Sequence, residues 1–141
     1  MKLISKNARE TAEAAKILAK EILKTNSLVI IGFVGELSTG KTTFIKSLIK
    51  GLGYNKRVVS PTFIILKRFT IRKRDIYHID AYRVKSRDLL KLGFEKAIKS
   101  PNIVLIEWAD RVKNILPKGT IWLKLEHGAN QNERRITINR R

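Results

Sequence analysis

The sequence predicts an α/β fold of three layers, in which helices flank a mostly parallel central sheet with antiparallel strands at its sides. Residues 28–34 form a continuous apolar run, as expected for a strand that is buried on both faces. Strand-like and helix-like segments alternate through the rest of the chain, which favours parallel strands joined by helices. Two late segments, 121–125 and 135–138, are predicted to be further strands. The length of 141 residues suits one domain, 1–141.

The first predicted helix spans residues 8–24. Asn7 and Glu10 have the spacing of a capping pair at the N-terminus of a helix. Apolar residues then recur at helical spacing, at Ala8, Ala12, Ala15, Ala19 and Ile22. The polar residues 25–27 separate this helix from the apolar strand that follows.

A second helix is predicted over 42–50. A glycine-rich turn precedes it, and Gly51 and Gly53 follow it in the position where helices commonly end. A short strand is then predicted at 58–59.

An antiparallel pair of strands is predicted at 63–68 and 75–79. Both segments are rich in residues that favour strands. The basic segment 69–74 lies between them and is predicted to be their connection.

Two short helices and one buried strand are predicted next. The first helix covers 86–92 and ends at Gly93, and the second ends near Pro101. Residues 103–106 form a second continuous apolar run and are predicted to be a buried strand. The turn between the two late strands is expected at 127–133.

Composition restricts the kinds of function that this chain can have. It has no cysteine, which excludes disulfides and thiolate metal sites. No apolar run approaches the roughly 20 residues that span a bilayer, and no signal peptide is readable, so we expect a cytoplasmic location and no membrane contact. The formal net charge of +18 favours a polyanionic partner such as RNA, although a solvated basic surface would have the same composition.

A phosphate-binding loop is predicted at residues 35–42. The segment reads Gly-Glu-Leu-Ser-Thr-Gly-Lys-Thr and matches G-x-x-x-x-G-K-[ST] at every fixed position, between an apolar strand and a helix. Backbone N–H groups of such a loop surround a phosphate, and Gly40 permits the close approach that this requires. Lys41 is expected to reach the β- and γ-phosphates, and the Thr42 hydroxyl to ligate Mg²⁺.

Two carboxylates follow apolar strand residues and are candidates to complete a metal site. Asp80 ends the segment 75–80, and Glu107 follows the run 103–106. Either could hold Mg²⁺ through water or polarise an attacking water, and either could instead be a helix cap or a surface carboxylate. His78 is expected to be structural rather than catalytic.

ATP is the favoured nucleotide, because the elements of a GTPase are missing from the sequence. The chain has no Asn-Lys-x-Asp segment and no Asp-x-x-Gly switch. Two other functions stay open. One is a P-loop kinase for a small hydroxyl substrate, with residues 69–74 as its lid. The other is a basic RNA-binding module that uses nucleotide only as a switch.

Several motifs together resemble one family. Five segments occur in the order seen in the TsaE (YjeE) family, at residues 35–43, 60–63, 78–83, 92–94 and 106–108. These proteins are bacterial ATPases needed to form threonylcarbamoyladenosine at position 37 of tRNA. The resemblance implies a P-loop NTPase-like fold, ATP hydrolysis with Mg²⁺, and work with the TsaD–TsaB complex. It leaves open whether tRNA is contacted directly or through that complex.

The resemblance also implies roles for individual residues. Lys41, Asp80 and Glu107 are expected to be catalytic, with Thr42 and Glu107 ligating Mg²⁺. Thr62 lies in a segment expected to sense the γ-phosphate. The residues expected to bind the nucleotide are Thr11, Glu36, Leu37, Ser38, Thr39, Gly40, Lys41, Thr42, Thr43, Thr62 and Trp108.

Two features depart from the family pattern. Family loops often read Gly-Ala where this chain has Ser38-Thr39, and we expect binding to be kept and the rate to differ. The Arg-rich residues after Glu133 lie outside the motif set, and they are expected either to contact tRNA or to be solvated.

Overall fold

A seven-stranded sheet forms the centre of the protein in this computed structural model, which describes residues 1–35, 39–56 and 65–140. The strands are β1 (Lys2–Ser5), β2 (Val29–Val34), β3 (Leu66–Ile71), β4 (Arg74–Asp80), β5 (Ile103–Glu107), β6 (Ile121–His127) and β7 (Arg134–Arg140). Their order across the sheet is β1-β7-β6-β2-β5-β4-β3.

The middle of the sheet is parallel and its two sides are antiparallel. β2 pairs in parallel with both β5 and β6, and β5 pairs in parallel with β4. β3 runs antiparallel to β4 on one side, and β7 runs antiparallel to β6 and β1 on the other. The predicted mixed α/β sheet, with a parallel centre and antiparallel flanks, is therefore confirmed.

Helices cover both faces of the sheet. They are α1 (Ala8–Leu23), α2 (Lys41–Gly51), α3 (Ser86–Lys91), α4 (Phe94–Ala97) and a 3₁₀ segment (Ala109–Ile115). Asn7 caps α1 as the sequence predicts, because its side chain accepts a hydrogen bond from the Glu10 N–H. Across the residues that the structure describes, no helix is both long enough and apolar enough to cross a membrane.

Each face of the sheet has its own apolar core. Within β2, Ile31 and Phe33 pack with α1 and α2, whereas Ile30 packs on the opposite side with α3, α4 and the 3₁₀ segment. This alternation explains why the whole run of β2 is apolar, since both of its faces are buried. The result is three layers, with helices on either side of the sheet.

The β3–β4 hairpin differs from its prediction. β3 extends three residues further than expected, to Ile71, β4 is longer than expected, and only Arg72 and Lys73 form the turn between them. Phe69 and Ile71 are buried in the core with α1 and α2, because alternate residues of β3 face inward. The predicted connection 69–74, which was also the candidate kinase lid, is therefore wrong.

Two elements were not predicted, and some predictions lie outside the described residues. β1 has only four residues, so its two apolar residues, Leu3 and Ile4, are too few to show a strand pattern. The 3₁₀ segment has no regular periodicity, because Val112 departs from helical geometry within it. The predicted strand at 58–59 and the start of the strand predicted at 63–68 fall outside the residues that the structure describes.

Arg74 joins three parts of the fold at the end of the sheet opposite the phosphate loop. Its guanidinium donates to the carbonyl oxygens of Pro101 at 2.6 Å, Thr25 at 2.8 Å, Ser27 at 2.9 Å and Ile22 at 3.3 Å. Arg74 is only 8% exposed, and this burial lowers the pKa of its guanidinium from the ordinary value. The end of α1, the start of β4 and the segment before β5 are thereby held together.

Candidate functional site

The predicted phosphate loop lies at the carboxyl end of β2 and leads into α2. Gly35 has φ +144°, and an added Cβ would overlap the carbonyl oxygen of Leu125, so only glycine fits there. Gly40 has φ +90° and precedes the first turn of α2 with no side chain capping that turn. The N-terminus of α2 is therefore suited to bind an anion. Glu36, Leu37 and Ser38 lie outside the described residues, as does Thr62.

Lys41 is held at the centre of the site. Its Nζ donates to the Gly35 carbonyl oxygen at 2.7 Å and lies 3.6 Å from the centroid of the Trp108 ring. The residue is only 6% exposed. Burial lowers the pKa of its ammonium, and this effect outweighs the opposing attraction of Glu107, Asp110 and Asp80. Of the two threonines that follow Lys41, Thr42 is half-buried and Thr43 is exposed.

The two candidate carboxylates lie side by side. Asp80 and Glu107 are register partners at the carboxyl ends of the parallel strands β4 and β5. Glu107 is buried, whereas Asp80 is half-buried and its Oδ1 accepts a hydrogen bond from the Tyr82 N–H at 3.0 Å. Both carboxylates attract the Lys41 ammonium, so the structure brings together the three residues that were predicted to be catalytic.

His78 contacts the Glu107 side chain directly. Its Nε2 lies 2.9 Å from Oε2 of Glu107, and both side chains are buried. The other ring nitrogen, Nδ1, is buried and has no hydrogen-bond partner among the described residues. The sequence expectation of a purely structural histidine did not anticipate this contact with a candidate metal ligand.

An aromatic and cationic cluster surrounds Trp108. The ring centroids of Tyr82 and Trp108 are 5.0 Å apart, and the Arg111 guanidinium carbon lies 4.7 Å and 5.2 Å from these two centroids. Arg111 also donates to the Tyr82 carbonyl oxygen at 2.6 Å. Trp108 itself has φ +56°, a strained conformation at the junction of β5 and the 3₁₀ segment. The segment after Asp80 is thereby tied to the segment after Glu107.

Thr11 makes no contact with the phosphate loop among the described residues. Its Oγ1 is 2.5 Å from the Ser5 Oγ and 3.2 Å from the Asn7 carbonyl oxygen. Ser5 pairs with Arg134 between β1 and β7, and the Arg134 Nε donates to the Thr39 carbonyl oxygen at 3.1 Å. Thr11 is thus linked to the phosphate loop through two intervening residues.

A cleft of about 750 Å³ opens beside the loop on its β6 side. It is lined by Gly35, Thr39, Trp108, Asp110 and residues 124–127. The cleft adjoins the backbone of the phosphate loop and the Trp108 ring, so a ligand held by the loop would have room to extend into it.

Comparison with known proteins identifies relatives of this chain. Residues 5–136 match the family model described as TsaE, threonylcarbamoyl adenosine biosynthesis protein TsaE. The chain belongs to the TsaE family. The tRNA threonylcarbamoyladenosine biosynthesis protein TsaE of Rickettsia felis is 40% identical over 126 residues, which cover 88% of this chain and 71% of that protein. The protein of the same name from Treponema pallidum is 34% identical over 139 residues, covering 98% and 99%.

A solved structure has the same fold as this chain. The crystal structure of YdiB from Bacillus subtilis superimposes with a TM-score of 0.78 at 28% sequence identity. The match covers 99% of this chain and 84% of the YdiB chain. The mixed seven-stranded α/β architecture is therefore shared with a solved protein.

The donor set in this TsaE chain fits Mg²⁺ bound together with a nucleotide. Within the described ranges, no group of three or more His, Cys, Asp and Glu side chains is arranged to hold a metal ion by itself. Mg²⁺ commonly takes one or two carboxylates and completes its octahedron with phosphate oxygens and water. Thr42, at the start of α2, and Glu107 are oxygen donors of the required kind at the loop.

Sequence reasoning missed three residues of the site in this TsaE chain, which are Tyr82, Asp110 and Arg111. Arg111 follows Trp108 by three residues, the spacing at which side chains meet on one face of a helical turn. That spacing is the signal that could have identified Arg111. The contact between Arg111 and Tyr82 joins residues far apart in the sequence, and no local pattern indicates it.

Proposed function

We propose that this chain is a Mg²⁺-dependent ATPase with a P-loop NTPase-like fold that serves tRNA threonylcarbamoyladenosine biosynthesis. One observation carries the proposal. Lys41 lies close to Asp80 and Glu107 at the glycine-containing phosphate loop, in a chain of the TsaE family. An anion-binding loop next to paired carboxylates is the arrangement needed to hold both a nucleotide phosphate and its metal ion.

Lys41 has the central chemical role in this proposal. Its ammonium now contacts the Gly35 carbonyl oxygen and the Trp108 ring, and it would exchange these contacts for phosphate oxygens when ATP binds. Neutralising the charge that develops on those oxygens is the main contribution that a protein makes to phosphoryl transfer. The poorly solvated position of Lys41 strengthens this electrostatic interaction.

The two carboxylates, Glu107 and Asp80, would have different roles in hydrolysis. We assign Glu107 and the Thr42 hydroxyl to Mg²⁺, which would neutralise phosphate charge when bound. Asp80 is more exposed than Glu107 and has one oxygen bonded to the Tyr82 N–H. It would orient a water molecule for attack on the phosphate.

Hydrolysis is favoured over transfer to a small hydroxyl substrate. The kinase alternative relied on a basic lid at 69–74, and these residues instead belong to the β3–β4 hairpin with Phe69 and Ile71 in the core. Product analysis separates the two reactions. We expect inorganic phosphate to account for all ATP consumed, and a phosphorylated metabolite would contradict the proposal.

The partners in the proposal are the TsaD–TsaB complex and tRNA, in the cytoplasm. The TsaE name of the relatives and the net charge of +18 support a role close to tRNA. Reconstitution of the modification with TsaD, TsaB and tRNA tests it. We expect repeated turnover only when this chain and ATP are both present. Equal turnover without the chain would contradict the role.

The variant Lys41→Ala tests the site itself. We expect ATP turnover to fall by about 10²–10³-fold, the typical cost of removing one group that stabilises transition-state charge. Malachite-green detection of phosphate would measure the loss. The neighbouring surface variant Lys46→Ala, on the exposed face of α2, is the matched control and should retain wild-type turnover. Unchanged turnover in Lys41→Ala would exclude the assigned site.

A further inference from the structure

The side chains of His78 and Glu107 are buried and joined by a hydrogen bond that apolar packing alone does not explain. His78 is 2% exposed and Glu107 is 7% exposed, and Nε2 lies 2.9 Å from Oε2. In the β4–β5 register His78 is opposite Leu105, so Glu107 lies two residues further along β5 on the same face of the sheet. A carboxylate has only acceptor atoms, so the His78 N–H donates this hydrogen bond.

The second ring nitrogen of His78 argues against a purely structural role. Nδ1 is buried without a hydrogen-bond partner in the parts of the chain that the structure describes. An unpaired buried polar atom lowers folding stability, and an apolar side chain at this position would avoid that cost. Its neighbours Ile76 and Leu105, on the same face of the sheet, are apolar core residues. The contact with Glu107 is therefore the feature that an imidazole supplies and an apolar residue would not.

The hydrogen bond also gives the two carboxylate oxygens of Glu107 different surroundings. Oε2 is occupied by His78, whereas Oε1 has no hydrogen bond to any described residue. Asp80 lies directly across from Glu107 in the register, and two neighbouring carboxylates repel each other. A donor on Oε2 would keep the Glu107 side chain in one orientation against this repulsion.

We propose that His78 is a positioning residue that holds the Glu107 carboxylate so that its other oxygen can ligate Mg²⁺. This inference rests on the proposed function, because it assigns Glu107 to the metal. Hydrogen-bonded partners of metal ligands orient those ligands, and their loss commonly weakens metal binding by about 10–100-fold. His78 acts through Glu107 and contacts neither the nucleotide nor the metal.

The test measures metal binding directly in the full chain. Mn²⁺ replaces Mg²⁺ as the probe, and electron paramagnetic resonance counts free Mn²⁺ in the presence of a saturating non-hydrolysable ATP analogue. The variants are His78→Leu, which removes the donor, and His78→Gln, whose amide nitrogen can reach the Nε2 position. Ile79→Val is the matched control, because it trims the core on the opposite face of β4 without touching Glu107.

We expect His78→Leu to weaken Mn²⁺ binding by about 10–100-fold while analogue binding without metal stays at the wild-type level. His78→Gln should recover most of the metal affinity, and Ile79→Val should retain all of it. A merely structural histidine would lower thermal stability in both His78 variants with no selective effect on Mn²⁺. Wild-type Mn²⁺ affinity in folded His78→Leu would overturn the inference.

Two further outcomes are informative. If His78→Leu does not fold, His78→Gln is compared with His78→Asn, whose shorter amide cannot reach Oε2. Equal Mn²⁺ affinities in these two would also overturn the inference. If wild-type protein binds neither the analogue nor analogue-dependent Mn²⁺, the proposed function fails, and the inference fails with it for a different and recognisable reason.

Discussion

Lys41 carries a charge at a position whose burial disfavours the charged form. Burial lowers the pKa of its ammonium in spite of three nearby carboxylates. The folded chain therefore binds this proton less tightly than the unfolded chain does. The resulting loss of stability is present at neutral pH and is relieved as the pH rises from the lowered pKa to the unfolded value of 10.5. A phosphate ligand would compensate the same charge at neutral pH.

The substitution Lys41→Met separates stability from function at this residue. It keeps the length of the side chain and removes the poorly solvated charge, so we expect a melting temperature equal to or above that of wild type. ATP turnover should be lost in the same variant. Differential scanning calorimetry without nucleotide, together with a phosphate assay, checks both statements. A melting temperature several degrees below wild type would show that the Lys41 charge stabilises the empty site.

At the scale of elements, Arg74 is the residue on which several segments depend. It lies at the start of β4 and bonds the last turn of α1, the segment before β2 and the loop before β5. The carbonyl groups of Pro101, Thr25 and Ser27 lie outside the helices and strands, whereas that of Ile22, in the last turn of α1, also accepts from the Thr25 N–H. One planar guanidinium with donors in several directions satisfies them together.

We expect Arg74→Met to destabilise the protein by roughly 1–3 kcal/mol, since buried carbonyl groups lose their donors. Urea unfolding followed by circular dichroism measures the change. Lys73→Met is the matched control, because Lys73 is the exposed neighbour in the same hairpin turn, and its effect should stay within about 0.5 kcal/mol. Similar midpoints for the two variants would mean that water replaces the guanidinium at these carbonyls.

Elements also show what could be predicted from the sequence and what could not. β2 and its loop were predictable because a continuous apolar run and a fixed glycine spacing are local signals. The β3–β4 turn was misplaced because Phe69 and Ile71 alternate with polar residues in a basic segment whose charge suggested a loop. β1 was missed because its four residues are too few to show a strand pattern.

The arrangement of the site was predictable only in part, because its contacts join distant residues. Lys41, Asp80 and Glu107 could be named from local motifs. The contact of His78 with Glu107 depends on the β4–β5 register, and that of Arg111 with Tyr82 depends on packing across the end of the sheet. Register and packing arise from the whole fold, so a local pattern does not contain them.

On the scale of the whole molecule, the net charge of +18 favours association with polyanions. We expect affinity for tRNA to fall steeply with salt, as counterions released from the phosphate backbone make binding salt-dependent. Filter binding across a salt series measures the slope. Lys41→Ala should leave the slope unchanged, because a single poorly exposed lysine adds little to the basic surface. A flat salt dependence would point to recognition by non-ionic contacts.

The bond from Arg134 to Thr39 has a consequence for the order in which the protein is made. These two residues are 95 positions apart in the chain. A ribosome therefore releases the phosphate loop long before it releases the strand that supports it. β2 and α2 can form early during synthesis, but the loop gains its support from β7 only once translation has passed Arg134. The nascent chain would thus acquire this support for the loop at a late step, when nearly the whole domain has been synthesised.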